Sequence, residues 1–330
     1  MRVLVTGGAG FIGSNYVRGV LAGRYPRLAD AEVIVLDKLT YAATRSALTD
    51  VIDDPRLRLV VGDICDSDLV AELLSGVDLV VHFAAESHVD RSIAGAAEFV
   101  RTNVLGTQTL LQAALDTGVG KFVHVSTDEV YGTIEHGSWP EDHPLEPNSP
   151  YAASKASAEM LVRSFHRTHG LPVCVTRCSN NYGPYQFPEK IIPLFVTNLL
   201  DGDRVPLYGD GDNVRDWLHV DDHCAGIELV AEHGRPGESY NLGGGAELSN
   251  KELTGQVLAA LGAGWDMVEW VADRKGHDRR YSVDTSKAAA ELGYAPHIPF
   301  ETGLAATIRW YTENRSWWEP LKHDHHAIGR

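Results

Sequence analysis

Cysteine is scarce, with four in 330 residues. Cys65, Cys174, Cys178 and Cys224 contain no CxxC pair and fall in apolar or helical stretches. That argues against a disulfide framework and a thiolate metal site, and predicts reduced thiols. Positive charge is also short. Lys and Arg total 29 against 45 Asp and Glu, a net charge of -16, so a nucleic-acid partner lacks its basic footprint. An acidic chain can still take a phosphorylated small molecule through local Arg and backbone N–H groups. No apolar run approaches the ~20 residues of a membrane span. Met1–Thr6 enters a strand at once, which predicts no signal peptide and a cytoplasmic location. Internal repeats and low-complexity linkers are missing too. What remains, 44% hydrophobic and 22% charged, is an ordinary globular composition, long enough for one large or two modest domains.

Arg2–Val5 is apolar without alternation, as a strand buried on both faces should be. Thr6-Gly7-Gly8-Ala9-Gly10-Phe11-Ile12-Gly13 follows, then a helical pattern from Ser14. Gly7, Gly10 and Gly13 permit a tight turn and close backbone approach to a pyrophosphate at a helix N-terminus. Placed between a strand and a helix, the triplet predicts dinucleotide binding. Glu32–Leu36 is the next strand and ends on Asp37, an acid that can bind ribose hydroxyls and repel a 2′-phosphate, favouring NAD over NADP. Lys38, Leu39, Thr40 and Tyr41 then line the adenosine side. Gly62-Asp63-Ile64 closes a third strand and borders the adenine. Val77–Phe83 is a fourth, ending in Ala84-Ala85-Glu86-Ser87-His88, where small residues allow close approach. Glu98–Leu115 reads as one long helix with Asn103 and Thr107 on its polar side. The alternation predicts a right-handed, doubly wound parallel sheet.

The fifth strand, Lys121–Val125, delivers the densest chemistry. Ser126, Thr127, Asp128 and Glu129 stand at its end, and Tyr151 and Lys155 lie at i and i+4 on the following helix. A Lys ammonium beside a Tyr favours phenolate. Two adjacent carboxyls resist joint ionisation and tend to split into an acid and a base. A regular strand would point Asp128 and Glu129 to opposite faces, so both reach a cleft only if the backbone turns there. Such a set suits redox at one carbon and proton transfer at its neighbours.

Beyond Pro184 the elements are shorter and mixed. They predict a smaller lobe over the cleft: residues 1–183 bind the cofactor, with segments near 214–242 rejoining them, and 184–330 are mainly for substrate. His219 and His223 at i, i+4 lack a third ligand and read as structural. His323, His325 and His326 fall in a polar tail read as solvated. No metal site is expected.

The glycine triplet, Asp37, Asp63-Ile64, Tyr151-x-x-x-Lys155 and Arg177-x-x-Asn180 together resemble an extended short-chain dehydrogenase/reductase, from Met1 to about Trp318. Within that superfamily HFAAESHVDRS, VSTDEVYG, RCSNNYGPYQFPEK and VRDWLHVDDH look like the dTDP-glucose 4,6-dehydratase family. The resemblance implies NAD as cofactor, dTDP-glucose as substrate and a homodimer through the 98–115 and 151–169 helices. It implies cofactor contacts from Gly7, Gly10, Phe11, Ile12, Gly13, Asp37, Lys38, Leu39 and Thr40. Further contacts come from Asp63, Ile64, Ala84, Ala85, Ser87, Thr102, Tyr151, Lys155 and Asn181. Thr127, Asp128, Glu129, Tyr151 and Lys155 become the catalytic set. Ser87, His88, Asn180, Glu189, Lys190 and Ile191 lie toward sugar and phosphate, joined by Thr127, Asp128 and Glu129. Pro206, Tyr208, Arg215, Asn250, Arg274, His277 and Tyr281 match the nucleotide-diphosphate pocket. A 4-epimerase, another dehydratase or a decarboxylase of the same fold is the alternative, but an epimerase needs no acid to expel a 6-hydroxyl, so the carboxyl pair speaks against it.

Overall fold

A computed structural model describes residues 1–328, with side chains described through Lys322. Among the described residues twelve strands follow in chain order. β1 (Arg2–Thr6), β2 (Glu32–Asp37), β3 (Leu57–Val61), β4 (Leu79–His82), β5 (Lys121–Thr127) and β6 (Val173–Cys178) form the first half. β7 (Asn180–Tyr182), β8 (Val205–Tyr208), β9 (Val214–His219), β10 (Ser239–Leu242), β11 (Glu247–Ser249) and β12 (Val268–Val271) complete the set.

The large sheet has the order β10-β6-β5-β4-β1-β2-β3, and its neighbours all pair parallel. Its inner strands are apolar runs because helices cover both faces; Val3, Leu4 and Val5 have no exposed surface. One face packs against helices Phe11–Leu21 and Val220–His233, the other against Ser67–Leu74, Thr107–Thr117 and Pro150–His169. The chain runs outward from β1 to β3, then returns to β4 beside β1. The carboxyl ends of β1 and β4 therefore flank a switch point, where such sheets bind ligands. The second lobe carries β11-β9-β7 and the β12-β8 pair. Its core gathers Phe195, Trp217, Val257, Ile308 and Trp318. Of the 214–242 stretch, β10 joins the large sheet and helix 220–233 packs on it, whereas β9 belongs to the small one.

Several expectations are corrected. The 98–115 helix is a short turn at Ala97–Phe99, a π-helical stretch at Val100–Gly106 and an α-helix at Thr107–Thr117. Asn103 and Thr107 are buried. Asn103 bonds both Glu86 backbone groups and the Ser154 hydroxyl, and Thr107 bonds His82 and the Asn103 carbonyl. Their polar atoms are satisfied inside. The last expected helix stops at Glu313, and a further one, Arg315–Ile328, brings Trp318 and Lys322 onto the second lobe. The side chains of His323, His325 and His326 lie outside those described. All four cysteines are free, with Cys65 half-buried and the others buried. His219 caps helix 220–233 by accepting from the Asp221 N–H, and His223 shares a hydrogen bond with Asn181.

Candidate active site

Two adjoining cavities of about 310 and 510 Å³ open at the switch point and under the second lobe. Glu129, Asn180, Glu189 and Lys190 line both, so one extended molecule in each would meet there.

The first cavity is built around the β1 turn. Gly7 takes φ +68°, and a Cβ on it would lie 2.6 Å from the Ala84 nitrogen. A Cβ on Gly13 would collide with the Gly7 carbonyl. Gly7 thus lets the turn pass close to the backbone after β4, and Gly13 lets helix 11–21 pack against the turn. Gly10 differs: a Cβ there meets only the Gly7 oxygen, at 3.3 Å, and otherwise projects into open cavity. Helix 11–21 starts at Gly10 with no side-chain cap and no acid in its first turn. Its end N–H groups are thus free for an anion. Asp37 accepts from the backbone N–H groups of Ala9 and Leu39 at 2.9 and 2.8 Å. Burial pushes its carboxyl up while these two bonds pull it back. Gly7, Gly10, Phe11, Ile12, Gly13, Asp37, Lys38 and Thr40 line this cavity, as do Asp63 and Ile64. Ala84, Ala85, Ser87, Thr102, Tyr151, Lys155 and Asn181 close it. Lys38 pairs with Asp63 at 2.9 Å. Leu39 does not line the cavity. Its backbone turns to φ +53°, placing the N–H on Asp37 and the side chain against the core. An uncapped helix end, a glycine with open space for a phosphate and an acid at the β2 end fit NAD.

At the junction the backbone does turn. β5 ends at Thr127, whose hydroxyl accepts the Glu129 N–H at 3.3 Å and starts a 3₁₀ turn over Asp128–Tyr131. Asp128 and Glu129 thereby both reach the cleft. Their surroundings differ. Asp128 is held well above the usual carboxylate range by burial first, then by the charges of Glu129 and Asp216. Its Oδ2 is buried without a partner. Glu129 is also raised by burial, but Arg274, Lys190 and Arg215 pull it back. The two carboxyls therefore sit in unlike electrostatic surroundings, acids beside Asp128 and cations beside Glu129.

Tyr151 and Lys155 are buried on helix 150–169, whose Ser149 cap and Pro150 start set its entry. The expected lowering of the phenol does not occur in the protein alone. Burial, then the Glu129 charge, pushes Tyr151 well up, while the nearby Thr127 hydroxyl opposes this. Lys155 donates to the Val125 carbonyl at 2.7 Å instead, and burial lowers it to about 8.

The second cavity takes His88, Asn180, Glu189, Lys190 and Ile191 at its inner end. Pro206, Tyr208, Arg215, Asn250, Arg274, His277 and Tyr281 line the rest. Arg215 lies over the Tyr281 ring at 4.5 Å and donates to the Asp278 carbonyl. Lys190 donates to the Ser87 carbonyl at 3.2 Å. Burial holds His88 and His277 at about 4, so the basic side chains lining this cavity are Lys190, Arg215, Arg274 and Lys322, the last paired with Asp201. That suits a diphosphate. Phe195, Asn198, Trp217 and Lys322 line this cavity and were not anticipated; Lys322 comes from a helix with no distinct sequence signal. Gln186 and Phe187, in the first cavity, sit inside the YQFPEK string and were findable. Among the described residues, no group of three or more His, Cys, Asp or Glu is placed to hold a metal.

The family profile described as GDP-mannose 4,6 dehydratase matches residues 4–307. A dTDP-glucose 4,6-dehydratase of Streptomyces antibioticus is 67% identical, over 98% of this chain and 96% of its own. The crystal structure of a dTDP-glucose 4,6-dehydratase from Streptomyces venezuelae, with NAD and dTDP bound, superposes with a TM-score of 0.96 at 67% identity. That match covers 97% of this chain and 100% of the other. A UDP-glucose 4-epimerase from Thermotoga maritima, solved with UDP-glucose, is more distant. It has a TM-score of 0.88 and 31% identity, over 96% of this chain and 100% of its own.

Proposed function

The chain belongs to the dTDP-glucose 4,6-dehydratase family of extended short-chain dehydrogenases/reductases, and from that premise we propose how its residues carry out the family's reaction. It is an NAD-dependent lyase that converts dTDP-D-glucose to dTDP-4-keto-6-deoxy-D-glucose and water, in deoxysugar biosynthesis. The observation that carries this reading is the carboxyl pair, both members turned into the cleft and placed in unlike electrostatic surroundings.

NAD, held by the residues lining the first cavity, would supply the hydride acceptor for C4 and the hydride donor for C6, and so would be regenerated each turnover. Residues 1–183 with β10 hold it, and residues 184–330 mainly hold the sugar nucleotide. Tyr151 accepts the proton of the 4-hydroxyl, and Lys155 supports the phenolate and the nicotinamide ribose. The 4-ketone acidifies the C5 hydrogen. Glu129 removes that proton while Asp128 protonates the departing 6-hydroxyl, and Glu129 returns its proton to C5. Lys190, Arg215 and Arg274 meet the diphosphate. The epimerase alternative leaves Asp128 without work.

A homodimer is part of this reading. Val100, Leu105 and Met160 are 54%, 51% and 59% exposed on the 100–117 and 150–169 segments, an apolar face that a second copy would cover. The four free thiols suit the cytoplasm. Incubation with dTDP-glucose should yield a 4-keto product, read by its alkaline absorbance. Recovery of unchanged substrate or a 4-epimer would refute the assignment.

A further inference from the structure

The proposed reaction asks two separate elements to act on one sugar. Tyr151 and Lys155, on helix 150–169, serve C4. Asp128 and Glu129, on the 3₁₀ turn after β5, serve C5 and C6. That turn is four residues long. Its first end is held by the Thr127 hydroxyl, which accepts the Glu129 N–H. Its last residue, Tyr131, is buried and holds the other end.

The Tyr131 hydroxyl lies between two fully buried groups. It accepts from Arg177 Nη1 and donates to Asn241 Oδ1 at 2.9 Å. Arg177 gives its Nε and Nη2 to Glu159 at 3.0 and 2.7 Å. Glu159 stands on helix 150–169, on the same side as Tyr151 and Lys155 by spacing. The bond directions follow from the donors available. Asn241 gives Nδ2 to the Trp139 and Asp284 carbonyls at 2.9 and 3.1 Å. Its Oδ1 is thus the acceptor, and the Tyr131 hydrogen points to it. Arg177 Nη1 also reaches the Glu141 carbonyl at 3.0 Å. Each polar side-chain atom of Glu159, Arg177, Tyr131 and Asn241 has a partner. A fully satisfied buried network makes rigid what it joins.

We propose that Tyr131 is a positioning residue for the elimination half of the reaction. Its hydroxyl ties the turn bearing Asp128 and Glu129 to the helix bearing Tyr151. It so fixes where the carboxyls meet C5 and C6 of a sugar already seated at C4. The proposal rests on the dehydratase reading and extends it. Tyr131 lines neither cavity and touches no reacting atom. Its ring is seated separately, in an apolar cluster with Val130, Ala156 and Val283, so loss of the hydroxyl alone leaves the ring in place. Helix 150–169 does not depend on Tyr131 in return. It is 20 residues long, has its own Ser149 cap and packs along the large sheet. Removing the hydroxyl therefore loosens the carboxyl turn and leaves the phenol where it was, so oxidation and elimination should part.

The test follows one turnover of NAD-loaded Tyr131→Phe with dTDP-glucose, by NADH absorbance and rapid quench. NADH should form within about threefold of the wild-type rate and then decay roughly ten- to 100-fold more slowly, since a misplacement near 1 Å can cost ~10²-fold. Turnover should fall with the decay while KM holds. Exchange of the C5 hydrogen with solvent deuterium, which reads Glu129, should slow alongside. A role confined to stability would lower the melting temperature and leave the ratio of the two rates as in wild type. Asn241→Leu removes the acceptor of the hydroxyl at similar volume and should show the same split; it serves if Tyr131→Phe does not fold. An unchanged ratio of oxidation to elimination, or a larger loss in oxidation, would overturn the assignment. Absence of 4-keto product from wild type would instead overturn the dehydratase reading.

Discussion

Gly10→Ala should separate cofactor binding from folding more cleanly than any other change in the β1 turn. Gly10 has φ −80° and ψ 178°, values any residue adopts, so alanine brings no backbone strain. A narrower unfolded ensemble favours alanine by ~0.4–1 kcal/mol. The 3.3 Å approach to the Gly7 oxygen offsets part of that. For a chain of this size the cofactor-free melting temperature should move by at most about 2 °C. Affinity for NAD should fall much further, because the new methyl occupies the space left for a phosphate over the helix end. Loss of one charge-assisted hydrogen bond costs ~1.5–3 kcal/mol, or roughly ten- to 150-fold in Kd. The assay is a thermal-shift titration of stripped protein with NAD, beside Gly13→Ala as a control. The control should lose stability by ~1–3 kcal/mol, since its Cβ meets backbone. A Gly10→Ala protein that binds NAD within twofold of wild type would refute the assignment of the open space to a phosphate.

Other consequences follow from the same geometry. Asp37→Ser removes a carboxylate that faces the ribose side, so binding should shift from NAD toward NADP; unchanged strong preference for NAD in a fluorescence titration would count against its role. Asp128→Asn should lower turnover by ~10²–10⁴-fold while C4 oxidation survives, seen as slowly decaying NADH absorbance; normal turnover would remove Asp128 as the acid. Because Asp128 works protonated, activity should fall as pH rises past its raised pKa. Glu129→Gln removes a neighbouring negative charge, so the basic limb of its residual activity should move to lower pH; a move to higher pH would contradict the coupling. Glu159 and Arg177 are both fully buried and pair at 2.7 Å. Glu159→Ala strands the guanidinium and should cost ~3–5 kcal/mol in urea unfolding; a loss below ~1 kcal/mol would show the pair is relaxed by other partners.

Much of the nucleotide site was legible because its signals are local. β1 reads as an unbroken apolar run since both its faces are covered, and Asp37 marks the end of β2 without any tertiary information. Tyr151 and Lys155 share a helix face by spacing alone. The electrostatics were less legible. Spacing suggested that Lys155 would act on Tyr151, but the ammonium reaches the Val125 carbonyl, and burial governs the phenol. The turn after Thr127 depends on one hydroxyl accepting an N–H two residues on, a choice that strand propensity does not reveal. Asn103 and Thr107 looked like a polar face because residue type was used as a proxy for exposure. Inside the protein Glu86, Ser154 and His82 supply their partners. β7, β11 and β12 are three or four residues long and exist through pairing with distant strands. Lys322 reached the second cavity only because helix 315–328 docks there, held by Asp201 to Lys322 and Arg315.

The central claim is that the hydrogen leaving C4 returns to C6 of the same sugar, with elimination across C5 and C6 between the two transfers. Supplying dTDP-glucose deuterated at C4 and reading the product by NMR tests it directly. The account predicts deuterium in the C6 methyl group of a 4-keto product. Deuterium recovered at C4 of a sugar that still carries its 6-hydroxyl would contradict it and make the chain an epimerase.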